Sequence, residues 1–334
     1  MISEEKVSII IPTYKGARCI KRAIDSLLDQ TYTDIEIIVV DDNPPNSIER
    51  LETEQIIKTY KNKLKYIKHE KNLNGAAARN SGIKVATGEF VGFLDDDDYY
   101  LPEKVEMSLK ALRENRNCDA VFCGVIITDN KHVLKVVEPT FNNHNMQKKI
   151  LFDVNMIGTG SNLFLRKSAI DKIEGFDISY YRLQDVEFLV RFFEDYNACW
   201  IDNLLIVKAR GGDNNVPQYN KLFKIKQQFY NDFSSILRKF EKDDLERFYM
   251  NEYSKLLSSC FGKESSKNLF KAKQDLEKYR SLKPKERISI ILSLLGSSNN
   301  NAYLVIKSIL ALIVKPFRSV VLKHKYGIGN KIFR

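Results

Sequence analysis

The chain has 334 residues, with 53 Lys and Arg against 43 Asp and Glu and a formal net charge of +10. Its composition, 43% hydrophobic and 29% charged, is typical of a globular protein and excludes a largely disordered chain. The five cysteines are dispersed without paired spacing, which argues against a zinc or disulfide framework and favours reduced thiols. The positive charge predicts an anionic partner without specifying it.

The ends of the chain bear on its location. The N-terminal residues lack the basic stretch and apolar run of a secretory signal. The longest apolar stretch, residues 302–314, contains Lys307 and falls short of the roughly 20 residues that a membrane-spanning helix needs. Basic residues follow it to the C-terminus. We therefore expect a cytoplasmic protein, with a peripheral contact at the inner face of the cell membrane as one alternative for the basic tail. Whether the tail contacts anionic lipid, packs internally or forms a homo-oligomer stays open.

The first part of the chain alternates strands and helices. A β-branched run at residues 7–11 predicts a buried strand, and a second strand is expected at residues 35–40. Between them, apolar residues at helical spacing predict a helix. Further helices are expected at 48–60, 76–86 and after Pro102, and further strands at 65–68, 90–94 and 120–128. Because the strands are continuously hydrophobic, we expect a parallel α/β sheet with helices on both faces.

The alternation becomes irregular after residue 128, which predicts a mixed sheet. Strands are expected at 133–137, 162–165, 198–201 and 204–207, and helices at 168–173 and 185–196. From about Pro217 helical periodicity replaces strand-like runs. We therefore divide the chain into an α/β domain at residues 1–215 and a helical C-terminal region at residues 216–334.

Polar residues follow three of the predicted strands. These are Thr13-Tyr14, Asp41-Asp42-Asn43 and the run from Asp95 to Asp98. In open α/β sheets, ligands bind beyond the carboxyl ends of the strands. We therefore expect one rim that carries a hydrogen-bond acceptor for a base or ribose and a metal site.

The four consecutive aspartates suggest a site for Mg²⁺ or Mn²⁺, which is usually held by one or two carboxylates and by substrate phosphates. Asp95 and Asp97 can reach one ion, with Asp98 adjacent. A solvated acidic loop at the start of the next helix explains the run equally well. Similarly, Asp41 and Asp42 fit an Asx turn, and Arg79 could clamp a diphosphate or form a surface ion pair.

Four segments in order carry a family resemblance: residues 7–14, 37–43, 72–82 and 88–99. Together they resemble the family 2 glycosyltransferases, which have the GT-A fold with a Rossmann-like nucleotide-binding sheet. Residues 175–177 and 184–191 extend the resemblance to about residue 215.

The resemblance implies roles for individual residues. Those implied to bind the donor are Thr13, Tyr14, Asp41, Asp42, Arg79 and Asp96. Asp95 and Asp97 match the family's Asp-x-Asp metal motif, with Asp98 as a further candidate. Asp185 aligns with the catalytic base of a Glu-Asp pair whose first member is here Gln184. A second departure lies around Lys208 and Arg210, where Arg210 would be a lid contact, and residues 158–162 fall on the acceptor side.

The implied reaction moves a sugar, with inversion, from a nucleotide-diphosphate donor to a glycan or lipid-linked acceptor in cell-surface polysaccharide synthesis. UDP is the expected nucleotide, with TDP and GDP as alternatives. A sugar nucleotidyltransferase would also use paired aspartates, but no Gly-rich loop with a basic residue follows the first strand. Nucleic-acid binding fits the net charge alone, because the acidic rim would repel phosphate.

Overall fold

The computed structural model describes residues 5–138, 145–153, 155–209, 218–261, 266–295, 315–316 and 318–329. Two compact units divide the chain, one assigned to residues 1–211 and 319–334 and the other to residues 212–318. Arg210 and the apolar stretch 302–314 lie outside the described residues. Within the described ranges no helix is long and apolar enough to span a bilayer.

The first unit contains a mixed sheet, which in the described part of the chain has nine strands. They are β1 (Val7–Thr13), β2 (Ile35–Asp41), β3 (Lys65–Lys68), β4 (Phe90–Phe93), β5 (Asp98–Tyr100), β6 (Ala120–Thr128), β7 (Val133–Val137), β8 (Phe164–Arg166) and β9 (Ala198–Ala209). Their order is β3-β2-β1-β4-β8-β6-β9-β5, with β7 beside β6. Strands β1 to β4 are parallel, and β8 runs antiparallel to β4 and β6.

Helices flank this sheet and make up the second unit. Those of the first unit are α1 (Ala17–Leu28), α2 (Ile48–Lys58), α3 (Gly75–Val85), α4 (Lys104–Glu114), α5 (Met146–Phe152), α6 (Lys167–Lys172) and α7 (Gln184–Asp195). Those of the second are α8 (Tyr219–Asp232), α9 (Ser234–Leu237), α10 (Lys242–Cys260), α11 (Ser266–Glu277) and α12 (Pro284–Leu295). The predicted α/β sheet and helical C-terminal region are both present.

Local sequence explains where the helices near the rim begin. Ser47 Oγ accepts a hydrogen bond from the backbone N–H of Arg50 and caps α2. Asn74 Oδ1 accepts from the backbone N–H groups of Ala76 and Ala77 and caps α3. These caps satisfy donors that a helix leaves unpaired, and they fix the direction in which α2 and α3 leave the rim.

The structure differs from the expected elements in three places. The end of the aspartate run is itself the short strand β5, which pairs with β9. The two strands expected at 198–201 and 204–207 are one strand, β9, whose register against β6 shifts between Ile201 and Leu204. That irregularity accommodates the polar residues Asp202 and Asn203 without ending the strand. The short helix α5 was not predicted.

Residues 319–329 belong to the first unit rather than to the helical region. Ile328 packs in an apolar cluster with Tyr99, Ile126 and Val207. Ser319 Oγ accepts a hydrogen bond of 2.9 Å from the backbone N–H of Val133. The C-terminal segment therefore returns to the sheet, which composition alone did not indicate.

The core beneath the sheet encloses one lysine. Lys104 is 0% exposed, and its Nζ donates a hydrogen bond of 2.7 Å to Ser108 Oγ. The ammonium lies 5.0 Å from the centre of the Phe164 ring and 5.6 Å from that of Tyr100. Burial lowers the pKa of Lys104, because the charged form is poorly solvated there.

We expect Lys104→Met to raise the free energy of unfolding by about 1 to 3 kcal/mol at neutral pH, since an apolar chain of similar length removes a buried charge. When folding lowers the pKa of a basic group, that group destabilises the protein most at pH values below its pKa in the folded state. The gain should therefore shrink as pH rises toward 10.5, the ordinary lysine value.

Urea unfolding at several pH values measures this difference. Lys110→Met, on the exposed face of the same helix, is the control and should change stability by less than about 0.5 kcal/mol. A loss of stability in Lys104→Met at neutral pH would show that the lysine stabilises the core.

Candidate active site

The parallel strands bring two of the predicted polar clusters to one rim. Thr13 lies opposite Asp41 in the register of β1 and β2. Thr13 Oγ1 donates a hydrogen bond of 2.6 Å to Asp96 Oδ2, which joins the end of β1 to the aspartate run. A Cβ atom on Gly16 would lie 1.8 Å from the same oxygen, so only glycine lets α1 begin this close to Asp96.

Asp41 is completely buried and engaged with protein groups. Its Oδ1 accepts from the backbone N–H and side-chain amide of Asn43, at 2.9 and 2.8 Å. Its Oδ2 accepts from the Tyr66 hydroxyl and lies 3.1 Å from Arg50 Nε. Burial raises the pKa of Tyr66, and the hydrogen bond to Asp41 adds to the shift. A nucleobase that hydrogen-bonds to Asp41 would therefore have to share the carboxylate with these protein groups.

Arg50 is a buried residue that supports the rim, although the sequence around it did not predict this role. It is 4% exposed, and its Nη2 donates to the backbone oxygens of Asp41, Asn43 and His69. These oxygens lie at the ends of β2 and β3. The guanidinium thus ties the end of β2 to the residues that follow β2 and β3.

Asp42 supports the loop that enters α3. Its carboxylate accepts from the backbone N–H groups of Leu73 and Asn74, at 2.8 and 3.0 Å. It also lies 2.8 Å from His69 Nδ1, and His69 Nε2 lies 2.8 Å from Ser81 Oγ. The predicted donor residue Asp42 is therefore 2% exposed and makes contacts that position α3.

Arg79 on α3 connects the aspartate run to α7. Its Nη2 donates a hydrogen bond of 2.6 Å to Asp95 Oδ1, and its Nη1 donates one of 3.0 Å to Gln184 Oε1. Gln184 Nε2 in turn donates to the backbone oxygen of Tyr180 at 2.7 Å. A glutamate could not make this last donation, so the departure from the usual Glu-Asp pair matches its surroundings.

The aspartate run concentrates negative charge. Burial, followed by the charges of Asp97 and Asp95, raises the pKa of Asp96 to about 7. Burial and the charge of Asp95 raise the pKa of Asp97 to about 6, and burial with the charge of Asp97 raises that of Asp98 to about 8. A nearby cation would relieve this repulsion.

Asp98 differs from its neighbours because it is 0% exposed. Its Oδ2 accepts hydrogen bonds from Thr159 Oγ1 at 2.7 Å and Ser161 Oγ at 2.6 Å. Its Oδ1 is buried without a partner among the described residues. The hydroxyl-rich stretch 158–162 thus anchors the end of the aspartate run.

The described residues contain no cluster of three or more His, Cys, Asp or Glu side chains arranged to hold a metal ion. Mg²⁺ and Mn²⁺ do not require one, because substrate phosphates complete their coordination. The raised pKa values of the aspartates and the unpartnered oxygen of Asp98 fit a divalent cation at this position. Asp95 and Asp97, both partly exposed, are the residues suited to hold it.

A cleft of about 230 Å³ opens beside Arg79 and Asp95. The residues that line it are Arg79, Asp95, Gly160, Tyr181, Arg182, Leu183, Gln184, Asp185 and Lys208. Burial raises the pKa of Asp185, and the charges of Arg79 and Lys208 oppose that shift. The carboxylate is therefore desolvated yet faces two cations, an environment suited to accepting a proton.

Lys208 is a site residue whose role the sequence did not reveal. It pairs with Asp98 in the register of β5 and β9. Its charge lowers the pKa of Asp97, Asp98 and Asp185. Only the folding of residues 198–209 into one strand brings it to the aspartates.

The comparisons with known proteins follow this geometry. The family described as Glycosyl transferase family 2 matches residues 8–174, half of the chain. This chain belongs to glycosyltransferase family 2. It is accordingly a glycosyltransferase, and the nucleotidyltransferase alternative is set aside.

Two relatives illustrate the likeness. An uncharacterized glycosyltransferase of Rickettsia prowazekii is 31% identical over 245 residues, which cover 72% of this chain and 74% of the relative. The Escherichia coli UDP-Glc:alpha-D-GlcNAc-diphosphoundecaprenol beta-1,3-glucosyltransferase WfgD is 25% identical, over 73% of this chain and 89% of that protein.

Solved structures share the fold. Staphylococcus aureus TarS 1-349 in complex with UDP-GlcNAc superposes with a TM-score of 0.62 at 20% identity, covering 91% of each chain. The mannosyltransferase PcManGT of Pyrobaculum calidifontis, in complex with GDP-Man and Mn²⁺, gives a TM-score of 0.53 at 16% identity and covers 97% of this chain and 85% of that one. The first unit therefore has the predicted GT-A fold.

The predicted site residues occupy different positions around the cleft. Arg79, Asp95 and Asp185 line it. Thr13 and Asp96 are bonded to each other beside it, and Tyr14 is 46% exposed. Asp41, Asp42 and Asp98 are buried and bonded to protein groups, while Asp97 is partly exposed. Their roles in binding and catalysis stay predictions.

Gly160 offers a direct test of the cleft. A Cβ atom there would lie 3.7 Å from Arg79 Nη2 and Asp95 Oδ2 and 3.9 Å from Asp185 Cβ. We expect Gly160→Val to fill this space and to lower turnover by about 10²-fold through displaced substrate, with little change in melting temperature. Rates of nucleotide-sugar consumption and thermal unfolding measure both effects.

Gly160→Ala is the matched control, because its single methyl group makes only ordinary van der Waals contacts. It should retain most of the activity. Parental turnover in a folded Gly160→Val variant would show that the reaction takes place elsewhere.

Proposed function

We propose that this glycosyltransferase moves a sugar, with inversion, from a UDP-sugar to a glycan or lipid-linked acceptor in cell-surface polysaccharide synthesis. The observation that carries the proposal is the single cleft that holds Arg79, Asp95 and Asp185. It joins a cation, a carboxylate of the Asp-x-Asp motif and a desolvated carboxylate. Transfer from a nucleotide diphosphate needs these functions together.

Cations of the protein stabilise the departing diphosphate in this proposal. Arg79 donates hydrogen bonds to both Asp95 and Gln184, which hold it in place, and of these two partners only Asp95 carries a charge that offsets its own. Lys208 has no ion pair within the described ranges and adds a second positive charge to the cleft. Fixed charges of this kind stabilise developing negative charge without reorganisation. A bound Mn²⁺ or Mg²⁺, held by Asp95 and Asp97, would supply Lewis-acid stabilisation of the diphosphate.

Asp185 is the proposed general base. Its Oδ1 accepts a hydrogen bond of 3.0 Å from the backbone N–H of Val186 at the start of α7. Burial raises the pKa of its carboxyl group, which strengthens it as a base, and the charges of Arg79 and Lys208 oppose that shift. It would remove the proton of the acceptor hydroxyl as that oxygen attacks the anomeric carbon. A single displacement inverts the configuration.

The donor and acceptor classes draw support from the relatives. The printed name of the Escherichia coli relative specifies a UDP-glucose donor and a diphosphoundecaprenol-linked acceptor. The Staphylococcus aureus structure contains UDP-GlcNAc, and the Pyrobaculum structure contains GDP-Man. UDP is therefore the proposed nucleotide, GDP and TDP are alternatives, and a lipid-linked acceptor would place the enzyme at an anionic membrane surface.

Asp185→Asn tests the function most directly. The variant should bind UDP and metal as the parent does, because the amide is of similar size and the diphosphate contacts remain. Its transfer rate should fall by at least about 10²-fold, the lower end of general-base contributions. Calorimetry gives the binding constants, and a coupled assay of UDP release gives the rate.

Asp195→Asn, at the exposed C-terminal end of the same helix, is the control. Transfer by Asp185→Asn at the parental rate would assign the base to another residue. Failure of the parent to bind UDP, GDP or TDP would overturn the donor class itself.

Asp97→Asn tests the metal requirement. The change should abolish Mn²⁺-dependent donor hydrolysis and should weaken Mn²⁺ binding measured by calorimetry in the presence of UDP. The melting temperature should not fall, because removing one charge relieves repulsion along the run. Asp29→Asn, an exposed change, is the control. Full activity of Asp97→Asn, or of the parent in excess chelator, would contradict the metal role.

A further inference from the structure

The cleft contains a second arginine, Arg182, whose guanidinium has no protein partner among the described residues. Arg182 lines the cleft, and within the described ranges its guanidinium makes no hydrogen bond or ion pair. Burial lowers the pKa of Arg182, because its charged form is partly desolvated. Arg79, in the same cleft, has both Asp95 and Gln184 as partners.

A desolvated and unpaired guanidinium destabilises the protein, since lost hydration is not replaced by protein contacts. An anionic group on a ligand would supply the missing partner. Arginine is suited to phosphate because its planar donors match two phosphate oxygens at once. Arg182 therefore indicates an anionic group in the ligand of this cleft.

Tyr181 lies next to Arg182 and also lines the cleft. Its side chain is 68% exposed, which is uncommon for a large aromatic residue. A tyrosine ring offers an apolar face and a polar hydroxyl to a ligand, at low cost in conformational entropy. The pair presents a stacking surface for a sugar beside a cation for a phosphate.

Tyr181 and Arg182 belong to a different segment of the chain from the residues proposed to contact the donor. Arg79 and Lys208 are associated with the aspartates, through the ion pair with Asp95 and the strand register with Asp98. Arg182 instead belongs to the segment that leads into α7 and carries Asp185 three residues later. An acceptor hydroxyl that reaches Asp185 therefore enters the cleft that Arg182 also lines.

The backbone between Arg182 and Asp185 is held in a strained conformation. Leu183 has φ of 62°, in the left-handed region that leucine rarely adopts. Its backbone oxygen accepts a hydrogen bond of 2.8 Å from the N–H of Glu187, which ties this turn to α7. The turn fixes Arg182 relative to Asp185, and strain of this kind is concentrated at functional sites.

We propose that Tyr181 and Arg182 form an acceptor subsite that recognises a phosphate or diphosphate group attached to the accepting sugar. The inference rests on the proposed function and adds the chemical class of the acceptor. A lipid-linked sugar diphosphate and a phosphodiester-linked glycan share this chemistry. Arg182 contacts the phosphate, and Tyr181 packs against the sugar.

Calorimetry in saturating UDP and Mn²⁺ tests the subsite, because the donor site is then occupied. Four probes are titrated: a short-chain alkyl diphosphate, the same diphosphate carrying a glycosyl group, an alkyl phosphodiester and a neutral alkyl glycoside. The parent should bind one or both classes of anionic probe and should bind the glycoside at least about tenfold more weakly. The better anionic probe identifies which source of phosphate the subsite accepts.

Variants locate the contact. Arg182→Gln should lower the affinity for the anionic probe by about tenfold or more and leave the affinity for UDP unchanged. Arg182→Lys should give an intermediate loss of probe affinity. Tyr181→Ala should lower the affinity for a glycosyl alkyl diphosphate more than the affinity for the sugar-free alkyl diphosphate. Arg116→Gln, an exposed arginine on the first unit, is the control.

Three results would overturn the subsite. They are the absence of anionic-probe binding beside bound UDP, an equal loss of UDP and probe affinity in Arg182→Gln, and unchanged probe affinity in that variant. The donor proposal is scored separately by UDP, GDP and TDP binding to the parent. If no nucleotide binds, the donor proposal fails, and probe binding to the nucleotide-free protein decides whether Arg182 still forms a phosphate site.

Discussion

The guanidinium of Arg79 is the interaction on which the active site depends. It joins α3, the end of β4 and the start of α7, elements that are far apart in sequence, through Asp95 and Gln184. The two partners belong to different parts of the proposed reaction, since Asp95 is a proposed metal ligand and Gln184 precedes the proposed base Asp185. A planar group with several fixed donors can set all three elements in one geometry, which a lysine could not do. In the proposed reaction, donor binding and acceptor activation therefore share one positioning residue.

Charge at the rim is balanced in an unusual way. Consecutive aspartates repel one another, and the protein offsets this only in part. Arg79 pairs with Asp95, hydroxyl groups of the protein donate to Asp96 and Asp98, and Lys208 adds a positive charge nearby. The remaining repulsion keeps the free enzyme less stable than it could be. Binding of a cation with a nucleotide diphosphate would release that repulsion, so part of the binding free energy is stored in the folded protein beforehand.

The sequence predicted the repeated strand and helix pattern and the rim residues because both follow from local periodicity and from the rule that strand ends meet. Motif resemblance also singled out Arg79 and Asp185, and both line the cleft, while their roles stay predictions. The sequence could not show that Asp41 is enclosed by buried partners or that Lys208 reaches the aspartates, because both depend on pairing between distant strands. The buried roles of Arg50 and Lys104 were equally hidden, since charged residues are expected at the surface.

The return of residues 319–329 to the sheet changes how the helical unit should be regarded. That unit is an insertion between two parts of the catalytic unit, with Ile328 and Ser319 on the second part. An evolutionary exchange of the helical unit between enzymes therefore requires two crossover points in the gene, one on each side. A cut within the insertion would leave two fragments whose association depends on contacts such as the packing of Ile328 and the hydrogen bond of Ser319. Partner preference could thus evolve in the insertion while the chemistry of the sheet stays unaltered.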